Sequence, residues 1–514
     1  MRRSRSTEKE ESKEAADLRL YEGNALQKLG RLHEAMSRVV GALDMYKRSV
    51  GFDHLATANA LQRIAELQLE NSEEEEAFSS VQQALKIRKN RLGKNDEATG
   101  DSYFMIGKIL VARREFDTAE PCLSAAYEIF RHKRGTSHIS VADCMYLLGC
   151  IYESRRLWDM ALEYFDGALP PRQKVLGQNH LAVADVLFKL GSVHKRKDEY
   201  ETSSDYFSEC LRIQKEAYGP ENAAVADTLF ELAGALSESP QVSGKLDPSQ
   251  CYMDAIRIYR QSLGGENHVA VAKCLARLGD LMVGTNLQKA GTCYEKAVAI
   301  FEAKLSDSPS QHEISQLRLE DDYEAYAAAV LDWAEFLDKQ GSDGSAMKTY
   351  RRALVLYQAL RGNEDEVIDD TLCKIANVLG RQERFGEALA LLEEVRNRRV
   401  GSGDENQPFV ADLHLALAKV YEKQREFAQA IGALETCLRI RRATAGPFSH
   451  EVGLVLARMG SMQANRADFR SAIRSWEEAL AIYQKAGLPD THQDVVQVFE
   501  LLQNAENILE TLKE

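Results

Sequence analysis

The sequence predicts an all-α protein, a right-handed solenoid of about eleven helix pairs closed by one C-terminal helix. Three observations indicate this architecture. Four glycines recur at intervals of 42 residues, at Gly93, Gly135, Gly177 and Gly219. The segments between these glycines carry apolar residues at helical spacing. The chain of 514 residues has only 10 prolines, which leaves room for long helices. A fixed period of this length is typical of stacked repeats, in which each unit contacts its neighbours.

Each repeat is expected to consist of two helices that pack closely. In the fourth repeat, Gly149 and Ala161 are small enough to let the helices approach, and Phe165 is expected to fill the gap toward the next pair. Helix starts are marked by Asp, Asn or His three residues after a linker glycine, at His54, Asp96, His138, His180, Asn222 and His268. Asp and Asn are strong N-caps, and His can take the same role. Because these histidines do not converge on one point, we expect capping and no metal site.

The periodicity divides the chain into five parts. They are a disordered tail (residues 1–14), a regular repeat block (15–236), irregular repeats with two loop insertions (237–319), a second regular block (320–487) and a capping helix (488–514). The tail is polar and charged without periodicity. The two insertions are expected over 237–250 and 306–318, and the first contains two prolines and a glycine, which exclude a continuous helix there.

Composition limits the function classes. The formal net charge of −14 makes the surface repel nucleic acid and anionic membranes. Hydrophobic runs are too short for a signal peptide or a membrane span, so membrane insertion is not expected. Nine scattered cysteines without a C-x-x-C pair are typical of buried thiols in a reducing compartment. We therefore expect a cytoplasmic protein, and association with the cytoskeleton stays open.

Several residues of the fourth repeat carry a family resemblance. They are Leu148, Gly149, Tyr152, Trp158, Ala161, Phe165 and Ala168. This helix-turn-helix pattern resembles the tetratricopeptide repeat (TPR). The 42-residue period, with G-x-x-H before the first helix and A-L-x-I near the end of the second, resembles the repeats of the kinesin light chain. The resemblance covers about residues 15–487 and implies a TPR solenoid with an adaptor role.

Two departures separate this chain from a kinesin light chain. The light chain carries an N-terminal heptad coiled coil, whereas only the polar tail precedes the first repeat here. The family also repeats an Asn-Asn pair that holds the backbone of a cargo peptide. None of the matching positions keeps that pair: Gln62-Arg63, Phe104-Met105, Tyr146-Leu147, Phe188-Lys189, Phe230-Glu231, Ala276-Arg277, Cys373-Lys374, Leu415-Ala416 and Ala457-Arg458.

No motif indicates catalysis. The sequence lacks a G-x-x-x-x-G-K-[ST] nucleotide loop, and the His-Glu dipeptides at His33, His312 and His450 lack the second histidine of H-E-x-x-H. No Ser or Cys has a recognisable nucleophile signature. We therefore expect neither an enzyme nor a cofactor, and no catalytic or metal-binding residue is assigned.

Two ladders of side chains recur on the first helix of each pair, the helix that lines the concave side of TPR arrays. The acidic ladder comprises Asp101, Asp143, Asp185 and Asp227. Three residues further along the same helical face stands the aromatic ladder, Phe104, Tyr146, Phe188 and Phe230. Two interpretations stay open: a peptide-binding groove, or helix-start carboxylates beside ordinary core aromatics.

Two functional hypotheses follow. In the first, the protein is a non-catalytic scaffold or adaptor that binds peptide segments in a concave groove, with basic and apolar side chains favoured by the two ladders. In the alternative, it is a kinesin light chain-like subunit that links a microtubule motor to cargo, and motor or cytoskeletal components are then among its partners. Neither hypothesis involves nucleic acid.

Overall fold

The computed structural model describes residues 2–238, 246–305, 320–363, 365–401 and 407–511, without the side chains of residues 2–11, 400 and 401. Within these ranges the chain forms 23 α-helices and no β-strand. The predicted all-α class is therefore confirmed. Contacts divide the chain into two compact units, unit 1 at Met1–Ile258 and unit 2 at Tyr259–Glu514.

Unit 1 contains the first eleven helices and most of the twelfth. They are α1 (Arg2–Lys28), α2 (Leu32–Ser49), α3 (Leu55–Glu70), α4 (Glu74–Leu92), α5 (Glu97–Ala112), α6 (Phe116–Arg134), α7 (Ile139–Ser154), α8 (Trp158–Leu176), α9 (Leu181–Arg196), α10 (Tyr200–Tyr218), α11 (Ala223–Glu238) and α12 (Pro248–Ser262). Each odd-numbered helix from α1 to α9 packs against the even-numbered helix that follows it, and each resulting pair stacks on the next.

Unit 2 repeats the arrangement. Its helices are α13 (Val269–Met282), α14 (Leu287–Lys304), α15 (Glu320–Lys339), α16 (Asp343–Arg361), α17 (Glu366–Arg381), α18 (Phe385–Gly401), α19 (Pro408–Lys423), α20 (Phe427–Thr444), α21 (His450–Asn465), α22 (Phe469–Lys485) and α23 (Gln493–Thr511). The last helix, α23, packs on α22 and lacks a following partner within the described residues. The described helices make eleven pairs and one capping helix, in agreement with the predicted number of about eleven.

Two predicted boundaries differ from the structure. Residues 1–14 were expected as a disordered tail, whereas α1 begins at Arg2. This stretch has no glycine or proline and is rich in Glu, Lys and Arg, which are good helix formers, so its polarity does not prevent a helix. The predicted insertion over 237–250 is shorter, because α11 continues to Glu238 and α12 starts at Pro248. Residues 239–245 of this insertion, and the whole of the second one, lie outside the described residues.

The helix starts confirm the predicted caps. The His54 and His138 rings accept a hydrogen bond from the backbone N–H two residues later, through Nδ1 at 3.1 and 3.2 Å. Asp96 does the same through Oδ1 at 2.9 Å. The linker Gly93 has φ 91° and ψ 173°, a conformation essentially restricted to glycine. The recurring glycine thus ends one repeat and the next cap starts another.

The close contact within a pair depends on glycine and an aromatic ring. A Cβ atom added at Gly149 would lie 2.6 Å from the Phe165 ring, which is fully buried. The structure therefore places Phe165 over Gly149 inside its own pair, whereas the sequence suggested a contact toward the next pair. The same arrangement brings Phe207 over Gly191 and Trp476 over Gly460. Each ring fills the space left by the missing glycine side chain.

Candidate peptide-binding surface

Within unit 1, the first helices of neighbouring pairs come close to one another. Helix α5 contacts α7, and α9 contacts α11, whereas the second helices of neighbouring pairs make no comparable contact within the described residues. This packing places the first helices on the inner side of the stack. We call the solvent-facing side chains of α3, α5, α7, α9 and α11 the first-helix surface.

The four aspartates of the acidic ladder lie on this surface. Asp101 and Asp143 are half-buried, with 44% and 37% of their side chains exposed. Asp185 and Asp227 are exposed. All four occupy the same position on α5, α7, α9 and α11, so the structure places them at equivalent points of successive first helices.

The aromatic ladder lies between the surface and the core. Each of its four rings is half-buried and packs against a buried ring from the second helix of the same pair. The ring centroids are 6.4 Å apart for Phe104 and Phe130, and 5.8 Å apart for Tyr146 and Phe165. The equivalent pairs are Phe188–Phe207 at 5.5 Å and Phe230–Tyr252 at 5.7 Å. One side of each ladder ring thus supports the core, and the remainder reaches the surface.

A cleft opens on the first-helix surface between α1, α3, α5 and α7. Its volume is about 560 Å³, and its lining includes Asp101, Phe104 and Asp143 together with Gln62 and Glu66. The other five ladder residues do not line this cleft and lie on α7, α9 and α11, at Tyr146, Asp185, Phe188, Asp227 and Phe230. The cleft combines an aromatic ring, hydrogen-bonding groups and carboxylates with two arginines, Arg63, which pairs with Glu66, and Arg88, which donates to Asn59. This composition is suited to an extended peptide.

Arginines from the second helices accompany the acidic ladder, and the sequence pattern does not predict them. Arg172 of α8 is buried and donates from Nη2 to Asp143 Oδ1 at 2.8 Å. Its Nη1 donates to the Ala182 carbonyl at 2.9 Å, and its guanidinium lies over the Tyr146 ring at 4.5 Å. One side chain therefore joins both ladders and connects α8 to the next repeat.

The second repeat has an equivalent arginine. Arg88 of α4 donates from Nη2 to Asn59 Oδ1 and from Nη1 to the Ala98 carbonyl, both at 2.9 Å. Arg88 and Arg172 each stand 29 residues after the polar residue that they contact on the first helix. This fixed spacing is the sequence signal that could have revealed them, because it recurs two repeats apart.

The surrounding protein shifts the pKa values of two ladder carboxylates, although both side chains touch solvent. Burial raises the pKa of Asp101, and the nearby Arg134 opposes this effect. Burial likewise raises the pKa of Asp185, against the influence of Arg172 and His180. A carboxylate that touches solvent and is still partly desolvated lies in a recess.

The positions that carry the Asn-Asn pair in kinesin light chains have another role here. Lys189 of α9 donates to Glu153 of α7 at 2.8 Å. On the next pair of first helices, Lys195 of α9 donates to Glu231 of α11 at 3.0 Å. Lys189 and Glu231 stand where the kinesin light chain has the second Asn of the pair. At these two sites the side chains therefore form ion pairs between neighbouring first helices.

The cysteines do not resemble catalytic nucleophiles. Six of the nine are buried, and all nine are free thiols. Burial raises the pKa of Cys150 to about 11 and that of Cys373 to about 12. Reactive cysteines require the opposite shift, toward the thiolate. These thiols act as small apolar groups in the core.

Family comparisons agree with this architecture. Models described as tetratricopeptide repeat match residues 14–90, 96–170, 184–216, 370–400 and 409–485, together more than half of the chain. The chain belongs to the tetratricopeptide repeat family. A comparison with curated proteins finds no match. TPR folds generally serve protein–protein interaction and are generally non-catalytic.

Solved structures include other TPR proteins. The apo form of RapI is 14% identical, with a TM-score of 0.52, and the match covers 75% of this chain and 97% of that chain. A putative kinesin light chain from Podosopora anserina with nearly identical TPR-like repeats is 15% identical (TM-score 0.35, 40% of this chain, 97% of that chain). BtubC (BKLC) from P. vanneervenii is 19% identical (TM-score 0.36, 50% and 92%). At these identities the RapI likeness shows the TPR fold alone.

In the described part of the TPR array, no helix combines the length and the apolar character needed to cross a membrane.

Proposed function

We propose that this TPR protein is a non-catalytic scaffold that binds peptide segments on the first-helix surface of unit 1. The observation that carries the proposal is the cleft of about 560 Å³ in which Asp101, Phe104 and Asp143 lie together. The remaining ladder residues extend the same chemistry along α7, α9 and α11. The proposed ligand is an extended segment with basic and large apolar side chains.

Charge and ring packing support this ligand class. The exposed carboxylates attract Lys and Arg side chains during encounter, and aromatic surfaces contribute affinity through burial of apolar area. The half-buried ladder rings are held by the core on one side, so their exposed portions are already positioned before a ligand arrives. Preorganised contacts of this kind lower the entropy lost on binding.

Cargo recognition of the kinesin light chain type is less well supported. That mode uses paired asparagines to hold the peptide backbone, and here Lys189 and Glu231 instead form ion pairs between first helices. We infer that the scaffold binds peptide through its ladders. The second candidate function, a subunit of a kinesin-type motor, is supported only by the family resemblance.

Selection from a random peptide library displayed on phage, with the full chain as bait, tests the proposal. Enriched peptides should combine Lys or Arg with aromatic or aliphatic residues. A bound peptide should slow hydrogen exchange in α5, α7 and α9 more than in the intervening second helices. Enrichment of acidic peptides, protection confined to second helices, or no enrichment at all would each contradict the proposal.

A further inference from the structure

Two histidines and an aspartate meet where the capping helix joins the last repeat of unit 2. His450 is the first residue of α21, His492 precedes α23, and Asp494 lies in the first turn of α23. Among the described residues, this is the one group of three such side chains whose ligand atoms all lie within 4.8 Å of one another. All three are half-buried, so they are held in place and still reachable.

Two of the three distances within this group are close to those of a tetrahedral metal site. His450 Nε2 lies 2.9 Å from Asp494 Oδ2, and His492 Nδ1 lies 3.5 Å from the same oxygen. Ligand bonds of about 2.0–2.1 Å to Zn²⁺ place tetrahedral ligand atoms about 3.3 Å apart. The two observed distances bracket that value. His492 Nδ1 also accepts the Asp494 backbone N–H at 3.3 Å, a long hydrogen bond that coordination would replace.

A buried hydroxyl without a partner stands beside this group. Tyr483 is 1% exposed, its hydroxyl has no hydrogen-bond partner among the described residues, and its ring lies 5.5 Å from the His450 ring. Tyr483 and Asp494 line one cavity of about 510 Å³. Three protein ligands leave the fourth tetrahedral position to a water molecule. Such a water would give the Tyr483 hydroxyl the hydrogen bond that it otherwise lacks.

We propose that His450, His492 and Asp494 bind Zn²⁺ and thereby fasten α23 to the last repeat. Two imidazoles and one carboxylate form a donor set that suits zinc better than magnesium or calcium. Helix α23 has few other anchors, because Val498 and Ala505 are its only fully buried residues. The histidines stand 42 residues apart, in one register of the repeat period. This site is independent of peptide binding on unit 1.

Metal titration of the full chain tests the site. After chelator treatment, Co²⁺ should give the visible absorption of a tetrahedral complex at one equivalent, and Zn²⁺ should displace it. His492→Ala and the shape-conserving Asp494→Asn should each weaken Co²⁺ binding at least about 10-fold. His33→Ala, at an exposed histidine of α2, is the matched control and should bind as the wild type does.

Hydrogen exchange supplies a readout independent of spectroscopy. Zn²⁺ should slow exchange in α23 of the wild type and of His33→Ala, and should have no such effect in Asp494→Asn. The assignment is overturned if the wild type binds no Co²⁺ tetrahedrally, or if Zn²⁺ does not protect α23. It is equally overturned if Asp494→Asn binds as tightly as the wild type, since the metal would then lie elsewhere.

Discussion

At the scale of single residues, the fold depends on pairs in which a glycine faces a ring. In unit 2 a Cβ atom added at Gly460 would lie 2.6 Å from Trp476 Nε1. The Trp476 ring cannot move away easily, because it is 2% exposed and its Nε1–H donates to the Ala457 carbonyl at 3.0 Å. The glycine is therefore required for packing and not for backbone flexibility.

Gly460→Ala should lower the free energy of unfolding by about 1–2 kcal/mol, since overpacking costs about 1–3 kcal/mol and the helix preference of alanine returns up to about 1 kcal/mol. The control is Gly432→Ala on the adjacent α20, where nothing lies within 4 Å of an added Cβ atom. Gly432→Ala should be stabilising. Chemical denaturation of both variants measures the difference, and equal effects would contradict the packing argument.

A second residue-scale prediction concerns Asp332. Burial raises the pKa of Asp332 to about 7, Asp280 and Glu335 reinforce the shift, and Arg277 and Lys374 oppose it. An aspartate in the unfolded chain titrates near about 4, so the folded state holds the proton more tightly. The free energy of unfolding therefore falls as pH rises from about 4 to about 7, and the loss is complete above pH 7.

Asp332→Asn removes this titration. The variant should exceed the wild type in stability by more at pH 8 than at pH 4, and denaturant unfolding at the two pH values checks the difference. The same stability difference at both pH values would show that Asp332 ionises in the folded protein as it does in the unfolded chain.

The arginines beside the acidic ladder show what local pattern cannot reveal. The sequence placed Asp143 and Tyr146 on one helical face, and the structure agrees. Their contact with Arg172 depends on packing between α7 and α8, which the spacing within one helix does not contain. Only a comparison across both helices of several repeats could have predicted it.

At the scale of elements, the turns inside nine of the described helix pairs share one conformation. The residue before the N-cap of the second helix has positive φ, for instance Arg156 at 59°, Ala467 at 62° and Gly341 at 71°. This left-handed conformation costs a residue with a Cβ atom about 1–2 kcal/mol, and glycine adopts it readily. Most repeats thus carry a small local strain in this turn.

Ala467→Gly should therefore raise the free energy of unfolding by about 0.5–1 kcal/mol, after the greater freedom of glycine in the unfolded chain is subtracted. Gly341→Ala, at the same repeat position, should lower stability by a similar amount. Thermal and chemical denaturation measure both variants. A loss of stability in Ala467→Gly would mean that the alanine makes a contact worth more than the strain.

Helix starts were predictable and the N-terminal boundary was not. The cap residues His54 and Asp96 act through their own side chains and the next turn, so a short sequence window contains the whole interaction. The extent of α1 depends on weak helix preferences summed over many charged residues, and polarity alone predicted a tail for 1–14. Element type followed from periodicity, whereas this boundary required the structure.

At the scale of the whole molecule, repetition made the fold predictable. Within each unit a repeat contacts its neighbours, so one correctly predicted repeat predicts the others, and the count of eleven pairs with a cap among the described helices follows from the 42-residue period. The function is less determined, because it depends on which surface of the array meets a partner. The ladders indicate the first-helix surface of unit 1 as the surface that meets a partner, and their role as a binding site stays a prediction.

The most direct test removes charge from this surface without changing its shape. The triple variant Asp143→Asn, Asp185→Asn and Asp227→Asn keeps an acceptor for Arg172 and raises the net charge by three. Its control changes the net charge equally on the second helices, through Glu128→Gln, Glu163→Gln and Asp205→Asn, all exposed side chains. Calorimetry with a peptide selected on the wild type, at low and physiological salt, compares the three proteins.

Wild type and control should bind alike and lose affinity as salt rises, because exposed charges are screened within about 8 Å at physiological ionic strength. The ladder variant should bind at least about 10-fold more weakly, with little salt dependence left. If it instead binds as tightly as the wild type with the same salt dependence, the acidic ladder belongs to helix-start chemistry and peptide capture by the first-helix surface is wrong.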